Sequence, residues 1–328
     1  MAEALLVAAA KSAVMLALVL TVCAYMTLFE RRLIAGFQLR YGPNRVGPGG
    51  LLQPFADAVK LIFKESFRPA GADPLVYWIA PGITMVTALF VYAVIPLGPE
   101  LVVLGRTVPL VVADVNVGIL LVLGASSIGV YGIILGGWAA NSKYAMLGSL
   151  RSSAQVLSYE LVLALAVASV VLSAGTLSLV EIVNAQQRVW FAFTQPVAFV
   201  LFLLGAIAET GRAPFDLPES EQELIAGYQT EYGGFNFAMF YIGEYVGIVT
   251  MGLLAANLFL GGWHGPVLPG PIWVAVKTLA FAFFAVWLRA TLPRVRQDQL
   301  MALSWKVLIE IGFLNLLVTA AVLAWRGG

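Results

Sequence analysis

Residues 5–29 read LLVAAAKSAVMLALVLTVCAYMTLF, a run whose only charged residue is Lys11. A helix of about 20 apolar residues crosses the hydrocarbon of a bilayer, so this run is long enough to span it. Only helices and closed barrels satisfy the backbone in lipid, and barrel strands would be shorter and alternate in polarity. The sequence therefore predicts an all-α integral membrane protein with about eight transmembrane helices. The other apolar runs lie at about 75–97, 115–136, 154–175, 191–210, 237–260, 272–291 and 303–325.

The composition agrees with a membrane protein and gives no support for nucleic-acid binding. The chain has 328 residues, of which 60% are hydrophobic and 11% charged, whereas soluble domains average about 45–50% apolar and about 25% charged. Since no long segment is polar and free of spans, we predict a single polytopic membrane domain over 1–328. The net charge of +1 gives no reason to expect nucleic-acid binding.

Cysteine and histidine are too scarce for a redox centre. The chain has one cysteine, Cys23, and one histidine, His264, so it lacks the ligands of an iron–sulfur cluster. We predict no metal site and no cofactor bound by the chain itself. Any redox cofactors of the system are then carried by other chains.

The basic residues predict the orientation. Assigned by their position in or between the predicted spans, five of the 19 Lys and Arg residues fall toward one side of the membrane and the other 14 toward the opposite side. Because basic loops stay in the cytoplasm, we predict cytoplasmic docking loops at 30–74 and 211–236, with both termini outside. The five basic residues on the outer side are Lys11, Arg106, Arg188, Lys277 and Arg326.

The first cytoplasmic loop contains an amphipathic pattern. Too short to cross a bilayer, this segment is predicted to be a helix lying in the membrane interface, or, alternatively, a surface helix that only anchors the chain. Its apolar side carries Leu52, Phe55, Val59, Ile62 and Phe63, and its polar side carries Asp57, Lys60 and Lys64.

Three acids lie inside predicted spans. Glu160, Glu209 and Glu244 sit within ~10 Å of the cytoplasmic ends of their helices, at 1.5 Å per residue. Ionisable groups at bilayer depth are costly and commonly mark a pathway, and neighbouring acids titrate together, so a proton relay is one interpretation. The alternative is that each acid pairs privately with an arginine or the backbone. Glu310, in the last span, is either a structural acid or part of the path.

The loop after the fifth apolar run is acidic. It carries Asp216, Glu219, Glu221 and Glu223, opposed only by Arg212. Phe215 and the prolines favour an ordered loop packed against a partner over a solvated charge run.

Stretches along most of the chain form a recognisable series: Glu30–Arg32, Gly42–Pro48 (GPNRVGP), Leu51–Lys60, Gly136–Tyr144, Leu150–Ser153, Ser158–Glu160, Arg212–Glu219 (RAPFDLPE), Thr230–Tyr232 and Arg294–Leu300. In this order they resemble the H subunits of bacterial complex I, the proton-pumping NADH:quinone oxidoreductase. The mitochondrial counterpart of that family is NADH dehydrogenase subunit 1.

The resemblance implies a component of the bacterial inner membrane that is not catalytic alone. It would join the other membrane-arm subunits to a peripheral arm carrying FMN and iron–sulfur clusters. Quinone, as ubiquinone or menaquinone, would enter from the lipid between the first span, the interfacial helix and the sixth span. The implied quinone-binding residues are Glu30, Arg31, Lys60, Arg212 and Tyr245, and the implied proton-path residues are Glu160, Glu209, Glu244, Asp216, Glu219, Glu221 and Glu223.

The chain departs from the family pattern at one point of the proton path. Ser126 and Ser127 stand where some members of the family carry a further glutamate, and a serine cannot hold the charge. Three other functions are open at this point. The chain could be the related membrane subunit of an energy-converting hydrogenase or F420H2 dehydrogenase, a self-contained proton-coupled transporter, or a structural anchor. The large cytoplasmic loops and the lack of an inverted repeat disfavour a transporter.

Overall fold

The computed structural model describes residues 2–103, 106–217 and 225–327, and helices dominate these ranges. A π-helical turn, Ser304–Leu308, joins the last two helices into one continuous helix. The elements are α1 (Ala2–Phe37), α2 (Gln53–Phe63), α3 (Pro74–Phe90), β1 (Leu101–Val103), β2 (Arg106–Val108), α4 (Gly118–Ala139), α5 (Lys143–Ala174), α6 (Leu179–Ala185), α7 (Phe191–Thr194), α8 (Pro196–Glu209), α9 (Gly234–Phe259), α10 (Gly270–Thr291), α11 (Gln297–Leu303) and α12 (Ile309–Gly327).

Within the described ranges, seven helical segments are long and apolar enough to cross a membrane. The predicted all-α integral membrane fold is thereby confirmed. The fifth predicted span, 191–210, differs, because it folds as α7 followed by the 14-residue α8. Pro196 lacks the amide hydrogen that would continue α7 and its fixed φ suits a helix start, so a new helix begins there. At 1.5 Å per residue α8 is about 21 Å long.

Helices α5 and α9 form the centre of the bundle. Helix α5 packs against α4, α8 and α12, and α9 packs against α1, α3 and α10. The approach of α5 to α8 depends on Gly205, where an added Cβ would lie 2.7 Å from Cγ of Leu163. Glu160 lies about one turn from Leu163, and Glu209 about one turn from Gly205 in the same direction along the bundle. The close helix contact therefore brings these two acids to the same level.

The predicted amphipathic segment is helix α2, which packs against α1 and α9. Tyr25 of α1 contacts Phe55 edge-on, with ring centroids 6.2 Å apart. Phe55, Val59 and Ile62 are nevertheless more than half exposed. An apolar surface is therefore left open beside α1 and α9.

The far end of α9 is closed by a buried lysine. Nζ of Lys277 donates hydrogen bonds to the carbonyl oxygens of Leu260, Gly262 and His264 at 2.6, 2.7 and 2.9 Å. It also lies 4.6 Å from the ring centroid of Trp190. Because no further helical turn follows α9, these carbonyl oxygens lack backbone N–H donors, and the ammonium group supplies their hydrogen bonds instead. We call this end of the bundle the lysine end, and the opposite end, where α1 finishes and α5 begins, the basic side.

The orientation can be tested with single cysteines in a chain whose buried Cys23 is replaced by alanine. The distribution of basic residues predicts that Glu65→Cys, on the basic side, reacts with a membrane-impermeant maleimide only from the cytoplasm. Arg188→Cys, between α6 and α7, should react only from outside. Both positions are exposed. Labelling of Glu65→Cys from the periplasmic side would reverse the orientation.

Candidate functional site

Arg212 lies in the turn that follows α8, and this turn is held in place by Gln155 of α5. The buried Nε2 of Gln155 donates to the carbonyl oxygens of Ala208 and Phe215, at 2.6 and 2.7 Å. Gly211 has φ +62°, a left-handed conformation that glycine adopts without steric cost. The turn is thereby fixed on both sides of Arg212, whose side chain is buried.

The guanidinium of Arg212 meets two carboxylates and an aromatic ring. Its Nη1 donates to Oε1 of Glu30, on α1, at 2.6 Å. Its Nε lies 2.7 Å from Oε1 of Glu244, on α9, but has no hydrogen-bond geometry toward it, so this contact is an ion pair. The guanidinium carbon lies 4.5 Å from the ring centroid of Tyr245. Arg212 therefore connects α1 to α9.

Glu30 receives two further donors. The hydroxyl of Tyr245 donates to Oε2 of Glu30 at 2.6 Å, and Nη1 of Arg289, on α10, donates to Oε1. We call the five residues Glu30, Arg212, Glu244, Tyr245 and Arg289 the charge cluster. Two carboxylates thus face two guanidinium groups where three helices and a loop meet, with Glu30 and Arg212 buried and Arg289 about one-third exposed.

Arg212 remains a cation although its side chain is buried. Burial alone would lower its pKa, but the carboxylates of Glu244 and Glu30 raise the pKa of Arg212 well above its ordinary value. Removing one partner of such a buried pair typically costs about 3–5 kcal/mol, because an uncompensated charge remains. A chemical event that changed the charge beside Arg212 would therefore be felt strongly by Glu244.

A cavity of about 150 Å³ adjoins the charge cluster, between α3, α4, α5, α8 and α9. Glu209 and Glu244 both line it, and the buried hydroxyl of Ser152 has no hydrogen-bond partner in the described part of the chain. Most of the lining surface is apolar, so water molecules find hydrogen-bond partners only beside the carboxylates and hydroxyl groups. We call it the acid-lined cavity. Its other hydroxyl-bearing lining residues are Thr84, Thr87, Ser126, Thr210, Tyr228 and Thr250.

Glu160 is not among the residues that line this cavity, but Val156, one turn earlier on α5, is. The hydroxyl of Ser127 donates to Oε1 of Glu160. Glu160 also interacts electrostatically with Glu209. Neither acid has an ion-pair partner among residues 2–103, 106–217 and 225–327. Private pairing with arginine thus applies to Glu244 and not to Glu160 or Glu209.

Two residues that the resemblance assigned to quinone binding lie outside the charge cluster. Nη1 of Arg31 is 2.9 Å from Oδ2 of Asp57, on α2, and Nζ of Lys60 is 3.9 Å from its Oδ1. The side chains of Arg31 and Lys60 are about half and two-thirds exposed. They form a surface ion network between α1 and α2.

The loop acids are only partly described. Asp216 interacts electrostatically with Glu244, and its buried Oδ1 has no hydrogen-bond partner in the described ranges. Glu219, Glu221 and Glu223 lie outside the described residues. Within those residues, no group of three or more His, Cys, Asp or Glu side chains could hold a metal ion.

Arg289 is the residue that the sequence prediction missed. It was placed on the basic side only as one of 14 charges, yet it contacts Glu30. A usable signal was available, because Arg289 occupies the last turn of a predicted span, at the depth of the buried acids. A cation at that depth needs a carboxylate partner.

Comparison with known proteins identifies the family of this chain. The model of the NADH dehydrogenase family matches residues 10–320. The chain is 56% identical over 314 residues to an H subunit of the NADH-quinone oxidoreductase of Geobacter sulfurreducens, covering 96% of this chain and 95% of the relative. It is 53% identical over 325 residues to the H subunit of the NADH-quinone oxidoreductase of Thermomicrobium roseum, with 96% and 95% covered. The chain therefore belongs to the family of NADH-quinone oxidoreductase H subunits, which are membrane subunits of complex I.

Proposed function

We propose that the charge cluster and the acid-lined cavity link quinone reduction to proton translocation. The observation that carries this proposal is the double position of Glu244, which is ion-paired with Arg212 and lines the cavity with Glu209. One carboxylate therefore belongs both to the buried charges and to the acids that could relay protons.

On the quinone side, the substrate enters from lipid between α1, α2 and α9. A hydrophobic quinone needs an apolar route ending in a few polar groups. The exposed apolar side of α2 supplies the route, and the polar groups are Glu30, Arg31, Lys60, Arg212 and Tyr245. Electrons arrive from peripheral-arm subunits that carry FMN and iron–sulfur clusters, and the quinone takes up two electrons and two protons to become quinol.

On the proton side, a change of charge near Arg212 alters its attraction for Glu244. Glu244 then takes up or releases a proton, which passes through water and hydroxyl groups of the acid-lined cavity to Glu209 and Glu160. Asp216 and the loop acids Glu219, Glu221 and Glu223 extend this path on the basic side. From these acids the proton passes to the other membrane-arm subunits of complex I in the bacterial inner membrane.

The quinone route can be tested by narrowing it. In the assembled complex, Val59→Trp should raise the KM for long-tailed quinones about tenfold, which is the lower end of the cost of a misfit in an apolar pocket. The KM for short-tailed analogues should change much less, because the tail crosses the narrowed segment. Steady-state NADH:quinone kinetics with both substrates measure the difference.

The matched control is Lys64→Trp, at the exposed residue that directly follows α2, which should leave both KM values near those of the wild type. Equal increases for long and short quinones with Val59→Trp would contradict the route, since they would indicate a general loss of structure.

A further inference from the structure

At the lysine end, the ammonium group of Lys277 directs all its hydrogen-bond donors at backbone oxygens. An ammonium group has three N–H donors, and Nζ of Lys277 makes three hydrogen bonds, to the carbonyl oxygens of Leu260, Gly262 and His264. We call these three oxygens the carbonyl cage. Lys277 is only 6% exposed and forms no ion pair with a carboxylate in the described ranges. A buried cation is thus held there without a counter-ion.

Two indole rings complete the surroundings of Nζ. The ring centroids of Trp190 and Trp273 lie 4.6 and 5.6 Å from it, within the distance of about 6 Å at which an aromatic face attracts a cation. Aromatic rings alone would also accept a quaternary ammonium ion, but the carbonyl cage needs N–H donors. The rings and the cage together therefore fit a primary ammonium group.

The shape of the carbonyl cage is set by contacts that do not involve Lys277. The backbone N–H of Gly262 donates to the carbonyl oxygen of Ala256 at 2.8 Å. The N–H of Gly261 donates to Oε1 of Gln186 at 3.0 Å. Gly261 and Gly262 have φ +71° and +48°, left-handed conformations that glycine adopts without steric cost. We therefore expect the three oxygens to keep their positions when the lysine side chain is shortened.

We propose that the carbonyl cage is a binding site for a primary ammonium group, which Lys277 fills from within the chain, and that free propylammonium binds there when Lys277 is replaced by alanine. The side-chain atoms that Lys277→Ala removes are the carbon and nitrogen atoms of propylammonium, so this ion matches the vacated volume. Residues 265–269, which follow the cage, are exposed and offer the ion an entrance. The site lies at the opposite end of the bundle from the charge cluster.

Amide hydrogen exchange over residues 260–270, measured by mass spectrometry on the assembled complex, tests this site. Lys277→Ala should speed the exchange about ten- to a hundredfold, which corresponds to the loss of hydrogen bonds to a charged group. Propylammonium chloride should reverse most of the increase in a saturable manner, because a ligand stabilises the state that binds it. Tetramethylammonium chloride, which has no N–H donor, should not. Exchange that stays fast with propylammonium, or slows equally with both salts, would overturn the proposal.

Two further variants fill the space of the lysine side chain, so they test the site even if Lys277→Ala fails to assemble. Lys277→Met has no ammonium group, so its exchange should be fast and should not respond to propylammonium. Lys277→Arg keeps the charge, but its planar guanidinium cannot aim three donors from one atom, so its exchange should lie between wild type and Lys277→Met. Wild-type exchange in Lys277→Arg, or a response of Lys277→Met to propylammonium, would contradict an ammonium-specific site.

Discussion

Replacing Arg212 with methionine should lower quinone-linked turnover of the assembled complex, and should also destabilise it by about 3–5 kcal/mol, the usual cost of removing one partner of a buried ion pair. Arg289 still neutralises Glu30 in this variant, so Glu244 is the carboxylate left without a cation. Oxidation of NADH by an artificial acceptor at the flavin should persist, because that step belongs to other subunits. The ratio of the two activities measures the effect.

Two companion variants separate charge from geometry. Arg212→Lys keeps the charge but not the planar fork that reaches two carboxylates, so its turnover should lie between wild type and Arg212→Met. In the double variant Arg212→Met/Glu244→Gln the uncompensated carboxylate is gone. The complex should therefore assemble better than with Arg212→Met alone, while coupling stays lost. Normal quinone turnover by an assembled Arg212→Met complex would refute the role of the charge cluster.

Replacing Glu209 or Glu160 with glutamine should reduce quinone-linked turnover and proton pumping together, by about a hundredfold if proton transfer through these acids limits the rate. Glutamine keeps the volume and the hydrogen bonding of glutamate but cannot carry a proton. Neither acid is ion-paired with an arginine in the described ranges, so the substitution leaves no cation without a partner there. Proton uptake in reconstituted vesicles and NADH:quinone turnover should be measured on the same preparations.

The matched control is Glu181→Gln, an exposed acid at the start of α6 whose carboxylate accepts a hydrogen bond from the hydroxyl of Thr176. It should pump like wild type. If the Glu209→Gln and Glu160→Gln complexes assemble and pump normally, the acids are structural and the relay hypothesis is wrong.

The helices were predictable because apolar runs of span length leave the backbone little choice in lipid. Their ends were not. Helix α1 continues to Phe37 and α5 begins at Lys143, since a helix can extend beyond the hydrocarbon wherever packing supports it. Pro196 indicated that the apolar run 191–210 would form two helices, but the run was predicted as one span because it is apolar throughout.

The sequence predicted how deep each site residue lies along its helix, but not the direction in which its side chain points around the helix axis. Glu30 and Arg31 are consecutive, so their side chains project about 100° apart on α1, and only packing shows that Glu30 faces Arg212 while Arg31 faces Asp57. The pairing of Arg289 with Glu30 depends on which helices are neighbours, and hydropathy carries no information about that.

The caged ammonium of Lys277 makes the two ends of the bundle electrically unequal. Near it, Leu258 and Phe259 are fully buried, so an ion entering from that end would lose its hydration at a cost of order 20 kcal/mol in the idealised limit. It would also approach the ammonium group of Lys277. A membrane protein that holds mobile charge at one end must not leak at the other, or the stored gradient is short-circuited. In the proposed function, the lysine end therefore opposes the leakage of protons through the bundle from the basic side.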